Sequence, residues 1–231
     1  MKLFTTFQFA SLVLPFTVAA QDLVDFDQQV RDALLRNPEI ILEVFDLLEA
    51  QQAEQAAMAD TELLSSLSDR LFEGADLSKP ILVEFFDYNC GYCKRGAGEV
   101  AIAAAEVDDL QLLHLQFPIL GEASVEMARA MLGLRDVHGD DVYFRVHDLL
   151  MADDGRIKAN FDGYLASAGF DVRAIHEAAS GERVTQALAS AQSLARALQI
   201  SGTPAYVTKS RVMRGYVEAA PLTAAILDDQ S

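Results

Sequence analysis

Cys90 and Cys93 are the only cysteines of the 231-residue chain, and they share one tetrapeptide, Cys90-Gly91-Tyr92-Cys93. Residues three apart on a helix share a face about one turn apart. Their Cα atoms then fall within disulfide reach. The pair suits a disulfide that opens and closes. At a helix start, free backbone N–H groups and the positive end of the dipole stabilise a thiolate. That assigns Cys90 as nucleophile. Cys93, a turn inside and more buried, resolves the mixed disulfide that Cys90 forms with a client. Three other uses of the pair compete. A purely structural disulfide closing so small a loop contributes only about 2 kcal/mol, which a chain of this size does not need. A closed zinc site needs four ligands, and His114, His138, His147 and His176 are scattered along the chain, so no metal is expected. Two soft thiols also suit Cu(I), which stays open as a secondary property.

Two other places bear on this chemistry. Ile81-Leu82-Val83-Glu84-Phe85-Phe86 carries one acid among five large apolar residues, and Glu84 lies six residues before Cys90. If the strand is central, a buried carboxyl resists ionisation and its pKa rises. It can then take or release a proton as the buried thiol reacts. The alternative is that Glu84 faces a solvent channel or pairs with a lysine. Thr203-Pro204 precedes a short apolar run, and X-Pro is where cis bonds occur. Trans is the ordinary state; the company of Cys90 and Cys93 makes cis the expectation. A cis bond turns free peptide groups of Thr203 toward the cysteines, where an extended client can pair. Gly91 and Tyr92 complete the expected client-contacting set. Lys94 and Arg95 either add positive potential near Cys90 or are solvated helix residues.

The elements that position these residues follow from pattern and punctuation. Ile81 to Phe86 reads as a strand, followed by a helix from near Cys90 and a second strand over Leu110 to Phe117. Several helices follow to about Gln199, broken at His138 to Asp141, Asp153 to Gly155, Gly169 and Ser180-Gly181. A hairpin of Ala205 to Thr208 and Arg211 to Arg214 comes next, then a helix from Pro221 to Leu227. This order predicts a mixed α/β sheet with helices on both faces.

Residues 21–78 read as a separate helical extension. Phe26, Val30, Ala33 and Leu34 recur at helical spacing, and Asn37-Pro38 marks a helix start with Asn as cap. Ile41, Val44 and Leu48 continue a heptad-like seam, which fades into an Ala/Gln-rich stretch, Ala50 to Ala59. A third helix is expected from Glu62 to Phe72. The apolar face must pack on something: either the main domain, or another copy with Ala50 to Ala59 as a semi-flexible connector.

Composition sets the outer bounds. With 51% hydrophobic and 23% charged residues the chain is globular. A formal net charge of -17 argues against nucleic acid or anionic lipid as a partner. Lys2, an apolar stretch from Leu3 to Val18 and the small residues Val18-Ala19-Ala20 read as an export signal over residues 1–20, cleaved after Ala20. A retained anchor is the alternative. Export places the cysteines where pairs can be oxidised.

Val83-Glu84-Phe85-Phe86, Cys90-Gly91-Tyr92-Cys93 and Gly202-Thr203-Pro204-Ala205 together resemble the DsbA branch of the thioredoxin superfamily, over residues 79–231. The helical extension and the run Phe86-Asp87-Tyr88-Asn89-Cys90-Gly91-Tyr92-Cys93-Lys94 are similar to its suppressor-of-copper-sensitivity protein C and Com1-like subgroup. The resemblance implies a thioredoxin-like fold with a helical insertion over about 122–199, and a cis-Pro204. It also implies a periplasmic thiol–disulfide oxidoreductase without an added cofactor, acting on cysteine-containing clients and served by a membrane redox partner. The extension in that subgroup can build homo-oligomers, trimers included. The strong oxidases of the family carry Pro-His between the cysteines. Gly91-Tyr92 offers no charge there, so a milder disulfide is expected. That favours an isomerase, with oxidase activity or a copper-holding role as alternatives.

Overall fold

Large apolar residues on both sides of the chain make Ile81–Phe86 a strand that only a covered sheet can accept, and all six of its residues are buried. The computed structural model describes residues 20–230. Among them ten helices and four strands follow in the order α1 (Ala20–Arg36), α2 (Glu39–Leu71), β1 (Ile81–Phe86), α3 (Gly91–Glu106), β2 (Gln111–Gln116) and α4 (Glu122–His138). Then come α5 (Asp140–Ala152), α6 (Arg156–Ala159), α7 (Phe161–Ser167), α8 (Val172–Ala179), α9 (Glu182–Ala197), β3 (Ala205–Val207), β4 (Val212–Arg214) and α10 (Ala219–Asp228). The leader read over residues 1–20 lies, but for Ala20, outside the described residues.

The sheet order is β2-β1-β3-β4. β1 runs parallel to β2, with Glu84 opposite His114, and antiparallel to β3, with Glu84 opposite Tyr206. β3 and β4 form the hairpin. Strand alternation sends Ile81, Val83 and Phe85 to one face and Leu82, Glu84 and Phe86 to the other. The first set packs with Leu194 of α9, with Leu198 just after it, and with Leu64 and Leu71 of α2. On the second face Leu82 meets Val100 and Ala103 of α3 and Leu222 and Ile226 of α10. Phe86 joins the cysteines and the α4–α5 core of the insertion. Between β2 and β3 the chain runs through the helices α4 to α9. The first turn of this stretch needs Gly139, whose φ of 82° links α4 to α5 with no residue to spare.

The chain divides into two compact units, one up to Ala53 and one from Glu54. Two expectations change here. The helix expected at Glu62 is the continuation of α2, because Ala50 to Ala59 favours helix and holds no Gly or Pro to stop it. The part of α2 in the second unit is also built into that unit's core: Leu64 and Leu71 are buried, and Asp60 takes both guanidinium nitrogens of Arg214 at 2.9 and 3.1 Å. Asn37-Pro38 does precede the start of α2, the Asn37 carbonyl accepting from the Ile40 N–H at 3.1 Å, but the Asn37 side chain serves α1, its amide donating to the Ala33 carbonyl at 2.9 Å. In the first unit Phe26, Val30, Ile41, Val44, Phe45 and Leu48 are all exposed.

Candidate active site

Cys90 is the N-cap of α3. Its backbone is extended, and its Sγ accepts from the Cys93 backbone N–H at 3.4 Å. A side chain that accepts from the first turn lies at the positive end of the helix. The strand-to-helix turn that delivers it is held by Asp87, which is buried. One Asp87 carboxylate oxygen accepts from the Asn89 N–H at 2.8 Å, and the other from those of Ile119 and Leu120 at 2.9 and 3.1 Å. Asp87 thus ties the active-site turn to the segment leaving β2.

Cys93 is fully buried, while Cys90 keeps 7% exposure, and both are free thiols. Burial pushes the Cys93 thiol far above its ordinary range. The outer and inner sulfurs therefore differ in access as the spacing predicted. The Thr203-Pro204 bond is cis. The Thr203 carbonyl accepts from the Cys90 thiol at 3.2 Å, across 113 residues of sequence. Three sequence-distant pieces, Cys90, Cys93 and Thr203-Pro204, come together here.

Glu84 is 1% exposed, and burial raises its carboxyl from 4.5 to about 8. Among the described residues neither the solvent channel nor the lysine partner is found. Lys94 turns away and donates to the carbonyls of Leu150, at 3.0 Å, and Asp153. The neighbour of Glu84 is His114, with Nε2 3.7 Å from Oε2. That separation is an ion pair only with His114 protonated. Burial, His147 and Arg135 hold the imidazole well below its usual range, so the two groups meet as neutral species near pH 7. Arg95 does not face the thiol; its guanidinium lies 4.7 Å from the Tyr92 ring and 5.8 Å from that of Tyr216. Gly91 and Tyr92 are exposed beside it.

Several surrounding residues escaped the sequence reading. His114 and His147 stack at 4.2 Å between centroids, and His147 Nδ1 meets the Tyr88 hydroxyl at 3.0 Å. Tyr206 is buried, with its hydroxyl unpartnered under α3. A Cβ on Gly96 of α3 would stand 2.3 Å from that oxygen. Gly96 is one turn after Cys93, so Tyr206 lies beneath the face that carries the resolving thiol. The missing signal was register: only the β1–β2 and β1–β3 pairings put His114 and Tyr206 beside Glu84. No group of three or more His, Cys, Asp or Glu suited to a metal occurs among the described residues.

A sheet feeding Cys-x-x-Cys at a helix start, faced by a cis-Pro, defines a thioredoxin-type thiol–disulfide protein. The DSBA-like thioredoxin domain profile matches residues 81–226, and the copper resistance protein ScsC N-terminal domain profile matches residues 24–55. The chain belongs to the DsbA-like thioredoxin family of thiol–disulfide oxidoreductases. A thioredoxin-like oxidoreductase from Silicibacter pomeroyi DSS-3 is 30% identical, with a TM-score of 0.62 over 69% of this chain and 95% of that one. Proteus mirabilis ScsC in a transitional conformation shares the fold at 24% identity and TM-score 0.60, over 92% of this chain and 99% of that one. A periplasmic thioredoxin-like protein from Salmonella enterica serovar Typhimurium does so at 22% identity and TM-score 0.55, over 71% and 95%. No curated protein matches the chain. Among the described residues no helix is long and apolar enough to cross a membrane.

Proposed function

We propose that this chain is a periplasmic disulfide isomerase working as a homo-oligomer. The observation that carries the thiol chemistry is the Cys90 Sγ, held at the α3 N-terminus and 3.2 Å from the Thr203 carbonyl beside cis-Pro204. In this reading Cys90 attacks a client disulfide. A Cys90–client bond forms, and the client's other sulfur leaves as a thiolate. A correct client thiolate then displaces Cys90, or Cys93 does so, leaving a Cys90–Cys93 disulfide and a reduced client. The Thr203 edge, with Gly91 and Tyr92, contacts the client backbone. Glu84, neutral and ionised in comparable amounts near pH 8, takes the Cys93 proton as that thiol attacks. No cofactor beyond the cysteine pair is required, and a membrane redox partner restores the reduced form.

The isomerase direction rests on the uncharged Gly91-Tyr92 pair and on the exposed apolar face of α1 and α2, which suits assembly of several sites around one client. The periplasmic location of the Salmonella relative supports the periplasm, as does the export signal read over residues 1–20. Replacing Cys90 with Ala is expected to abolish refolding of a scrambled disulfide protein; refolding at the wild-type rate sinks the proposal. A measured reduction potential near that of strong oxidases excludes the isomerase reading in favour of oxidase activity. Tight Cu(I) binding without turnover of insulin disulfides favours the copper-holding alternative.

A further inference from the structure

Tyr92, between the two cysteines, is 56% exposed. Arg95 stands one turn further along α3. Its guanidinium lies over the Tyr92 ring at 4.7 Å and over the Tyr216 ring at 5.8 Å. The two rings are 6.5 Å apart between centroids. Tyr216 comes from the chain after β4 and is held on two sides. Its hydroxyl donates to Glu99 Oε1 at 2.7 Å, and the N–H of Gly215 before it donates to the Pro204 carbonyl at 2.9 Å. These contacts join the cis-Pro204 segment to the exposed side of α3.

Arg95 is left without a carboxylate. Glu99, one turn on, is the natural i,i+4 partner. Both of its oxygens are taken instead, Oε1 by the Tyr216 hydroxyl and Oε2 by the Ala219 N–H at 3.0 Å. Among the described residues Arg95 forms no ion pair. Lys94 is committed to the carbonyls of Leu150 and Asp153. A guanidinium stacked on rings keeps its in-plane N–H donors for a planar acceptor. In a chain of net charge -17, a cation without a carboxylate near the nucleophile is a local reversal of sign.

We propose that Tyr92, Arg95 and Tyr216 form a side-chain subsite that receives an Asp or Glu close to the client's reacting cysteine. The inference rests on the client disulfide exchange proposed above for Cys90 and adds which clients the site prefers. The occupant follows from position. A client bonded to Cys90 and paired along Thr203 lies against this rim, because Gly215, next to Tyr216, is bonded to Pro204. Arg95 stands about 7 Å along the helix from Cys90, which an extended client covers in about two residues. A carboxylate there meets the edge of the guanidinium, and the two rings fix the plane in which that edge is presented.

The test uses the reduced full-length protein and short peptides whose single cysteine is capped with 2-thiopyridine. Attack of Cys90 on the peptide sulfur forms the Cys90–peptide disulfide and releases the coloured thiopyridine, which gives a second-order rate constant. The peptides carry Glu or Gln two residues from the cysteine, or Glu eight residues away. Each rate is divided by that of dithiothreitol with the same peptide. At low salt the wild type is expected to react about three- to fivefold faster with the near Glu than with Gln, the worth of an exposed ion pair. Arg95→Gln is expected to bring that ratio to about one. Arg95→Lys keeps the charge without the planar fork and is expected to retain less than about half of the preference. A wild-type ratio below twofold, a full ratio in either variant, or an equal gain from the distant Glu overturns the subsite. Release from no peptide ends the thiol reading and the subsite together. Release without a preference for Glu ends the subsite alone.

Discussion

At the scale of single residues, the site is governed by what burial does to groups that must change charge. Burial raises Glu84 from 4.5 to about 8 and lowers His147 from 6.5 to about 4. The signs oppose. A raised folded pKa means the native state holds the Glu84 proton more tightly, so its contribution is complete below pH 4.5 and is lost as pH rises through 8. A depressed His147 contributes above pH 6.5 and loses that contribution as pH falls through 4. Replacing Glu84 with Gln removes only the first effect. The variant is expected to gain stability over wild type as pH rises from 5 to 8, by at most about 1.4 kcal/mol per pH unit. Urea melts at several pH values check this, and a pH-independent difference contradicts it.

At the scale of elements, the approach of α3 to β3 sets what the site tolerates. Gly96 lets the Tyr206 hydroxyl lie where a methyl would otherwise meet it at 2.3 Å. Gly96→Ala is therefore expected to cost about 1–3 kcal/mol through overpacking, despite the better helix propensity of Ala. Tyr206→Phe removes the oxygen that clashes and leaves no stranded partner, since that hydroxyl has none. The double variant is expected to recover most of the loss, a coupling readable from a double-mutant cycle. Additive losses indicate that α3 shifts bodily instead. The same element scale explains α2. Sequence periodicity located its apolar residues, but whether residues 62–72 belonged to the extension or the core depended on long-range contacts of Leu64, Leu71 and Asp60.

At the scale of the whole molecule, the distribution of apolar surface distinguishes the two units. The unit from Glu54 buries its large aliphatic and aromatic side chains in contiguous clusters. The unit up to Ala53 exposes Phe26 at 62%, Phe45 at 58% and Leu47 at 64%. A face of that kind points to association. Phe45→Glu is expected to convert the full-length protein to monomers, with the mass read by light scattering. A wild-type chain that is already monomeric refutes the oligomer. If the oligomer forms and matters, the monomeric variant retains oxidation or reduction of small peptides and loses refolding of multiply scrambled clients.

Local information was enough for much of this protein. Spacing placed Cys90 at the helix start and the more buried Cys93 a turn inside, because one helical turn is a local distance. Apolar runs and Gly, Pro and Asp breaks located the four strands, because those signals act within a few residues. A lone acid in an apolar strand marked Glu84 as buried. Tertiary structure alone decided what surrounds it. Pairing register brought His114 from 30 residues away and Tyr206 from 122 residues away to the two sides of Glu84. Chain reversal through cis-Pro204 set a carbonyl against Cys90 across 113 residues. Such neighbours share no local pattern. They are selected by which sheet edges pair and which faces pack, and no window of sequence contains that choice.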